Sequence, residues 1–98
     1  MVSNDLKWHP DAVAEAEEAR DWYAARSPLA ARGFLLELES AVNAVCEAPS
    51  RWPSYLHGTR RFVFSHRYPF SLVYRFDPSI EVIAVAHSRR RPGFWARR

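Results

Sequence analysis

Three strand-like segments in the second half of the chain constrain the fold more than any other feature. They occupy residues 60–65, 70–76 and 80–87, and β-branched and aromatic residues dominate them. The turns between them, residues 66–69 and 77–79, contain only four and three residues. Because a parallel crossover needs about a dozen residues, these short turns predict an antiparallel meander.

The first half of the chain carries two helical patterns after a short alternating segment. Residues 5–9, starting at Asp5, alternate polar and apolar side chains and predict a half-buried strand, after which Pro10 fits the first position of a helix. Residues 11–26 are amphipathic with an acidic outer face. Ser27 and Pro28 then supply the N-cap and first turn of a second, more hydrophobic helix, which ends near Pro49.

These elements predict a small α+β fold. A short N-terminal strand and a helical hairpin precede a three-stranded antiparallel meander, and both helices cover one face of the sheet. We expect the opposite face to be left for function. A length of 98 residues predicts one domain spanning residues 1–98, in which residues 88–98 form a basic, aromatic C-terminal tail.

The charge of the chain is divided between its halves. Residues 1–50 carry four basic and nine acidic side chains, whereas residues 51–98 carry ten basic and two acidic ones. This asymmetry indicates an acidic partner for the second half, such as nucleic acid, a nucleic-acid-binding machine or an acidic peptide.

The tail concentrates that positive charge beside large aromatic rings. Residues 87–98 contain five arginines, one histidine, Phe94 and Trp95. Since guanidinium groups must be solvated or paired, we expect the tail to face water or an anionic partner. Trp95 has a second possible role, in which it folds back onto the sheet and closes the core. A chain truncated after Ala86 is expected to lose function and remain folded.

The sequence gives no support for a metal site, a cofactor or a membrane segment. The four histidines lack ligand spacing and the three glycines form no phosphate-binding loop, so we expect neither a metal nor a cofactor. A single cysteine, Cys46, on an apolar helix face offers no disulfide and suits a reducing compartment. With no membrane-spanning run and no secretion signal, we expect a cytoplasmic protein that does not bind membranes.

Two motifs carry a family resemblance. One is Tyr-Pro-Phe-Ser-Leu-Val-Tyr-Arg at residues 68–75, and the other is His-Ser-Arg-Arg-Arg-Pro-Gly-Phe-Trp at residues 87–95. With the order of helices and strands, they make essentially the whole chain resemble the RelE/ParE superfamily of bacterial toxins, in its ParE-like, plasmid-stabilisation-like subgroup. The resemblance implies the toxin of a type II toxin–antitoxin pair, which arrests growth and is neutralised by a small cognate antitoxin.

The superfamily includes ribosome-dependent mRNA endoribonucleases, which are RelE-like, and DNA gyrase inhibitors, which are ParE-like. RNA cleavage needs a base, an acid and cations around the phosphate. RelE-like enzymes place lysines and arginines on the middle strands and often a tyrosine near the C-terminus. Approximate alignment puts other residues at those places, which favours the gyrase hypothesis: Phe62, Phe64, Ser71 and Phe94.

A different endoribonuclease arrangement stays open. His87, at the end of the last strand, could act as acid or base while nearby arginines hold phosphate. The catalytic candidates are then His87, Arg61, Arg75 and Arg90, with Arg67 as a further phosphate contact. Other interpretations are structural, because His87 could bond a neighbouring loop and Arg75 could pair with Glu81 across the meander.

A gyrase inhibitor needs a contact surface instead of an acid and a base. Arginine and tryptophan are enriched at binding hot spots, and the tail supplies both. The candidate target-binding residues are Arg67, Arg89, Arg90, Arg91, Phe94, Trp95 and Arg97. A third hypothesis is a non-toxic interaction module, which would bind the antitoxin without arresting growth.

Overall fold

A computed structural model describes residues 6–98, which form a four-stranded sheet with two helices packed on one face. The predicted α+β class is confirmed. The strands lie in the order β1-β4-β3-β2. In chain order the elements are β1 (Lys7–Trp8), α1 (Pro10–Ala24), α2 (Pro28–Glu47), β2 (Arg60–Val63), β3 (Phe70–Phe76) and β4 (Ile80–His87).

The predicted meander is present, but the sheet is larger than predicted. β2, β3 and β4 pair antiparallel, with Arg61 opposite Val73. β1 pairs parallel to β4, with Lys7 opposite Glu81, and makes the sheet mixed. Parallel pairing is possible here because the helical hairpin and two strands separate β1 from β4 in sequence. β2 ends at residue 63, earlier than predicted, and Asp5 of the predicted first strand lies outside the described residues.

Both helices begin where the sequence predicts, because a capping side chain precedes a proline in each case. The Nδ1 atom of His9 accepts a hydrogen bond of 3.1 Å from the Asp11 amide at the start of α1. The hydroxyl of Ser27 accepts one of 3.3 Å from the Ala30 amide at the start of α2. Each cap satisfies an amide that the helix itself leaves without a partner.

The core between the helices and the sheet is rich in aromatic rings. Phe34 of α2 is fully buried, and its ring centroid lies 5.6 Å from that of Tyr23 and 5.2 Å from that of Phe70. Tyr68 joins this cluster and donates a 2.9 Å hydrogen bond to the carbonyl of Ala30. On α1, Ala12 and Ala19 are buried and Ala16 and Tyr23 pack against this cluster, whereas Val13 is exposed.

A bulge in β4 decides which side chains face away from the helices. Val73 lies opposite Ala84, but the next residue, Tyr74, lies opposite Val82, so Ile83 is an extra residue in β4. Ile83 and Ala84 therefore both belong to a second apolar cluster, on the face that the helices do not cover. That face carries the candidate site.

Candidate functional site

The C-terminal tail covers the second face of the sheet. Trp95 is only 1% exposed and packs in a cluster with Val73, Ile83, Ala84 and Ala86. The face that we expected to be left for function is thus largely covered by the tail, because the bulged strand offers apolar side chains that water would otherwise contact.

Of the two roles predicted for Trp95, core closure is the one observed. Its ring is therefore not available at the surface as a target-binding residue. The indole N–H is buried and has no hydrogen-bond acceptor among residues 6–98. Trp95 thus contributes to this face mainly through apolar packing.

The end of the tail continues round the edge of β4 to reach α1. The Arg98 guanidinium donates to both carboxylate oxygens of Glu15, at 2.7 and 2.9 Å, and to the carbonyl of Ile83 at 3.0 Å. Glu15 also accepts a 3.0 Å hydrogen bond from the Val85 amide. The side chains of Glu15 and Arg98 thus hydrogen-bond to main-chain groups of β4, at Val85 and Ile83. β1 pairs with β4 only at Glu81 and Val82.

The Glu15–Arg98 pair is largely shielded from water, with side chains 10% and 14% exposed. The hydrogen bond to Glu15 raises the pKa of Arg98, against the opposing effect of burial. Sequence analysis missed both residues. Nothing in the pattern singles out one glutamate on an acidic helix or the last of five tail arginines.

Trp95 also supports two aromatic platforms that each carry an arginine. The ring centroids of Tyr55 and Phe94 lie 5.3 and 5.1 Å from that of Trp95. The guanidinium carbon of Arg61 lies 4.0 Å from the Tyr55 centroid, and that of Arg90 lies 3.7 Å from the Phe94 centroid. Both arginines are at cation–π distance, which restricts side chains that are otherwise mobile.

A cavity of about 120 Å³ lies beside these platforms. The loop before β2, the three meander strands and the tail all contribute to it. Three of the four catalytic candidates, Arg61, His87 and Arg90, line it, so the predicted convergence is partly observed. Its other lining residues are Tyr55, Ser71, Val73, Ala86, Ser88, Pro92, Phe94 and Trp95.

The fourth catalytic candidate, Arg75, is not among the lining residues. It lies opposite Glu81 on β4, as one sequence-based interpretation required, but the two form no ion pair. Its guanidinium instead donates a 3.1 Å hydrogen bond to the carbonyl of Arg98. Arg75 therefore helps to hold the tail.

The hydrogen bonding of His87 limits the chemistry that it can perform. Its Nδ1 atom accepts a 3.0 Å hydrogen bond from the amide of Arg89, and its ring packs edge-on against Phe70. A neutral imidazole in this arrangement carries its proton on Nε2. Using Nε2 as a base, or protonating both nitrogens, would sacrifice the bond to Arg89. The interpretation of His87 as a strand-end residue bonded to the adjacent loop matches this geometry.

The remaining candidate residues lie at the surface. Arg67 is exposed in the turn before β3, and three arginines of the tail are exposed as well. None of these four forms an ion pair with a carboxylate of residues 6–98. Phe94 is half-buried between Trp95 and Arg90. These three tail arginines are Arg89, Arg91 and Arg97, and Arg90, which lines the cavity, is exposed as well.

A larger groove of about 400 Å³ lies on the helix side, between α1 and the ends of β3 and β4. Trp22, which is 54% exposed, Tyr23 and Phe70 give it an apolar lining. Glu15 and Arg90 also line it, so charges of both signs flank the apolar surface.

The described residues lack two other kinds of site. Among residues 6–98, no three or more histidine, cysteine, aspartate or glutamate side chains are grouped so that they could hold a metal ion. Neither helix of this part of the chain has the length and apolar character needed to cross a bilayer.

Comparisons with known proteins agree with the fold and the sequence motifs. A family model described as the ParE toxin of the type II toxin-antitoxin system parDE matches residues 6–92. A solved chain of the chromosomal ParDE TA system from P. aeruginosa superimposes with a TM-score of 0.72. The two chains are 23% identical, and the match covers 85% of this chain and 94% of the other, which shows a shared fold. No curated protein matches the sequence.

Proposed function

Since the chain belongs to the ParE toxin family of type II toxin–antitoxin systems, we propose that it is a growth-arresting toxin that inhibits DNA gyrase. A cognate antitoxin neutralises it in the cytoplasm. The observation that carries this proposal is the family match over residues 6–92, which includes the motif at residues 68–75 and the first five residues of the tail.

The geometry favours gyrase inhibition over RNA cleavage. An endoribonuclease of this kind needs a base for the 2′-hydroxyl and an acid for the leaving oxygen. His87 is the one candidate for those tasks, and its Nδ1 atom is already engaged by the Arg89 amide. Arg75 supports the tail instead of the pocket. A surface that binds an enzyme–DNA intermediate needs neither an acid nor a base.

We propose that the exposed tail arginines and Phe94 form the contact surface for the target. Arg89, Arg91 and Arg97 keep their charges at the surface, whereas Trp95 lies beneath and fixes the path of the chain. Arg67, in the turn before β3, extends the set of exposed cations. Such arginines can bind carboxylates of gyrase or phosphates of its DNA.

The apolar groove beside α1 is our candidate for antitoxin binding. Contiguous exposed apolar patches on a monomer often mark a protein interface, and Trp22, Tyr23 and Phe70 line this groove. An antitoxin segment with apolar anchors would bury these side chains.

RNA cleavage is retained as a second function because one pocket brings Arg61, His87 and Arg90 together. His87→Ala separates the two functions. Gyrase inhibition should survive this substitution, whereas an endoribonuclease that uses the imidazole should lose roughly 100-fold or more of its rate.

The proposed function is tested by tightly controlled expression in a bacterium that carries a DNA-damage reporter. We expect growth arrest with reporter induction, and rescue when the neighbouring antitoxin gene is coexpressed. Purified protein should also inhibit supercoiling by gyrase. Growth arrest with cleaved mRNA and no reporter induction would instead identify ribosome-dependent mRNA cleavage as the activity. Normal growth with a stable antitoxin complex would identify a non-toxic interaction module.

A further inference from the structure

The side of α2 that faces away from the sheet exposes three leucines. Leu29, Leu35 and Leu36 are 74%, 44% and 56% exposed. Because an α-helix turns by about 100° per residue, Leu36 lies roughly opposite Phe34, which is fully buried in the core. α2 therefore carries large apolar side chains on two opposite sides. A helix that is apolar all round is normally buried, so the outer leucines indicate a further contact.

Two opposite charges flank these leucines symmetrically. Arg32 lies three residues before Leu35, Glu39 lies three residues after Leu36, and both are exposed. Neither forms an ion pair within residues 6–98. Helix neighbours three or four residues away often compensate a charge. Here those positions, which are 28, 29, 35, 36, 42 and 43, carry no charged side chain.

A second copy of the chain would supply both missing charges. Two α2 helices that pack antiparallel, with a two-fold axis between Leu35 and Leu36, place Arg32 of each copy opposite Glu39 of the other. The exposed leucines then meet around the axis. Parallel pairing in register would place like charges opposite each other, which is unfavourable. The charge pattern of α2 is thus complementary to itself in the antiparallel orientation.

We propose that the outer face of α2, formed by Leu29, Arg32, Leu35, Leu36 and Glu39, is the interface of a symmetric homodimer. One helix from each copy makes a small interface, so the dimer is weak and forms at high local concentration. None of these residues lines the groove beside α1 or the pocket on the tail face. The inference therefore does not depend on the proposed function.

The test is sedimentation equilibrium of the purified full chain from about 1 µM to about 500 µM. We expect a monomer–dimer equilibrium with a dissociation constant of roughly 10–100 µM. Leu36→Glu places two carboxylates at the axis and should weaken the dimer at least about tenfold. Val63→Glu, at an exposed apolar residue of β2, is the control and should change the dissociation constant by less than about twofold. A monomeric chain throughout this range, or equal effects of the two variants, would overturn the interface.

Charge reversal tests the antiparallel orientation. Arg32→Glu and Glu39→Arg each create two like-charge pairs across the axis and should weaken the dimer about tenfold. Glu18→Arg makes the same charge change in the groove beside α1 and should leave the dissociation constant within about twofold. Combining both reversals in one chain restores opposite charges and should recover dimerisation to within about threefold.

A mixture of the two single variants gives an independent check. In a heterodimer of Arg32→Glu with Glu39→Arg, both facing pairs again have opposite signs, so the mixture should associate more tightly than either variant alone. Failure of the double variant to recover, or of the mixture to associate, would overturn the proposed orientation.

The other possible occupant of this face is the antitoxin. A chain that stays monomeric but loses antitoxin binding through Leu36→Glu would assign the leucines to the antitoxin and overturn the homodimer. Dimerisation of the free chain that Leu36→Glu abolishes would support it. Sedimentation measures neither toxicity nor gyrase inhibition, so failure of the homodimer would leave the proposed function intact, and the reverse also holds.

Discussion

The two faces of the sheet are closed in different ways. On the helix face, two regular helices bury a large cluster around Phe34, and capping residues fix where each helix starts. On the tail face, a segment without helix or strand covers a small cluster around one tryptophan, Trp95. Two ion pairs of Arg98, with Glu15 at 2.7 Å and with Asp11 at 3.6 Å, fix the end of that segment.

This difference separates stability from target binding on one face and couples them on the other. Phe34, at the centre of the helix-face cluster, does not line the pocket on the tail face. On the tail face, Trp95 both fills the core and supports the rings beneath Arg61 and Arg90. Substitutions on the tail face should therefore change stability and binding together.

The largest effect is expected from removing the ring at the centre of either face. Trp95→Ala and Phe34→Ala should each lower the free energy of unfolding by about 3–5 kcal/mol, measured by urea denaturation. At temperatures where both variants remain folded, only Trp95→Ala should weaken the inhibition of gyrase supercoiling, because Trp95 fixes the path of the tail that we propose as the contact surface. Trp95→Phe is a milder control, because it keeps most of the apolar ring and removes a buried N–H that has no acceptor among residues 6–98. Full inhibition of supercoiling by Trp95→Ala would break the coupling.

Truncation after Ala86 extends the same test to the whole tail. Sequence analysis predicts that the shortened chain stays folded, whereas the structure shows that it would expose the apolar cluster beneath Trp95. We now expect loss of cooperative unfolding, or a much lower midpoint. A truncated chain that unfolds at the full-length midpoint would show that the tail contributes little to this face.

A smaller loss is expected when the end of the tail is released. Glu15→Gln leaves the largely buried Arg98 guanidinium with only the exposed carboxylate of Asp11, at 3.6 Å, which should cost about 2–4 kcal/mol. Glu18→Gln on the same helix is a matched control, since Glu18 is exposed, and should change stability by about 0.5 kcal/mol or less. Equal effects of the two variants in urea denaturation would mean that the ion pair does not hold the tail.

The turn at residues 91–94 should lose stability when its glycine, Gly93, is replaced. Gly93 has φ +85°, and a Cβ there would lie 2.9 Å from Nε2 of His57. Gly93→Ala should cost about 1–2 kcal/mol from backbone strain, plus the cost of moving His57. Gly58→Ala isolates the strain, because φ is +72° and no atom lies within 4 Å of its Cβ position. Similar losses for both variants would exclude a role for the His57 contact.

The smallest expected effect is a difference between the two faces in how their stability depends on pH. Burial raises the pKa of Cys46, Tyr23 and Tyr74, so the folded state holds these protons more tightly than the unfolded chain does. Their contribution to stability is complete below the unfolded pKa values and decreases as pH rises above about 9.

These three residues pack with the helix-face cluster. We therefore expect amide exchange above pH 9 to accelerate first on the helix face, while the Glu15–Arg98 pair persists. Cys46→Ala should flatten the first part of the pH dependence. Faster exchange of the tail face at the same pH would contradict this order.

Much of the fold could be predicted because its signals are local. Ser27 followed by Pro28 marks the start of a helix, and short turns require antiparallel strands. The bulge at Ile83 has no comparable signal, since any apolar residue of β4 could have been the extra one. The candidate site was predicted in part for the same reason. Arg61, His87 and Arg90 line one pocket. Arg75 instead donates a hydrogen bond to the main chain of Arg98, and this contact exists only once the tail has folded onto the sheet.

The sequence by itself determined the α+β class, the helix starts, the antiparallel meander and the family motifs. Side-chain period, capping residues and turn length act over a few residues, so they can be recognised without coordinates. Only the tertiary structure decided that Trp95 is buried, which arginines remain exposed and which two share a pocket. Glu15 and Arg98 are 83 residues apart, and a contact at that separation exists only after the strands and helices have packed.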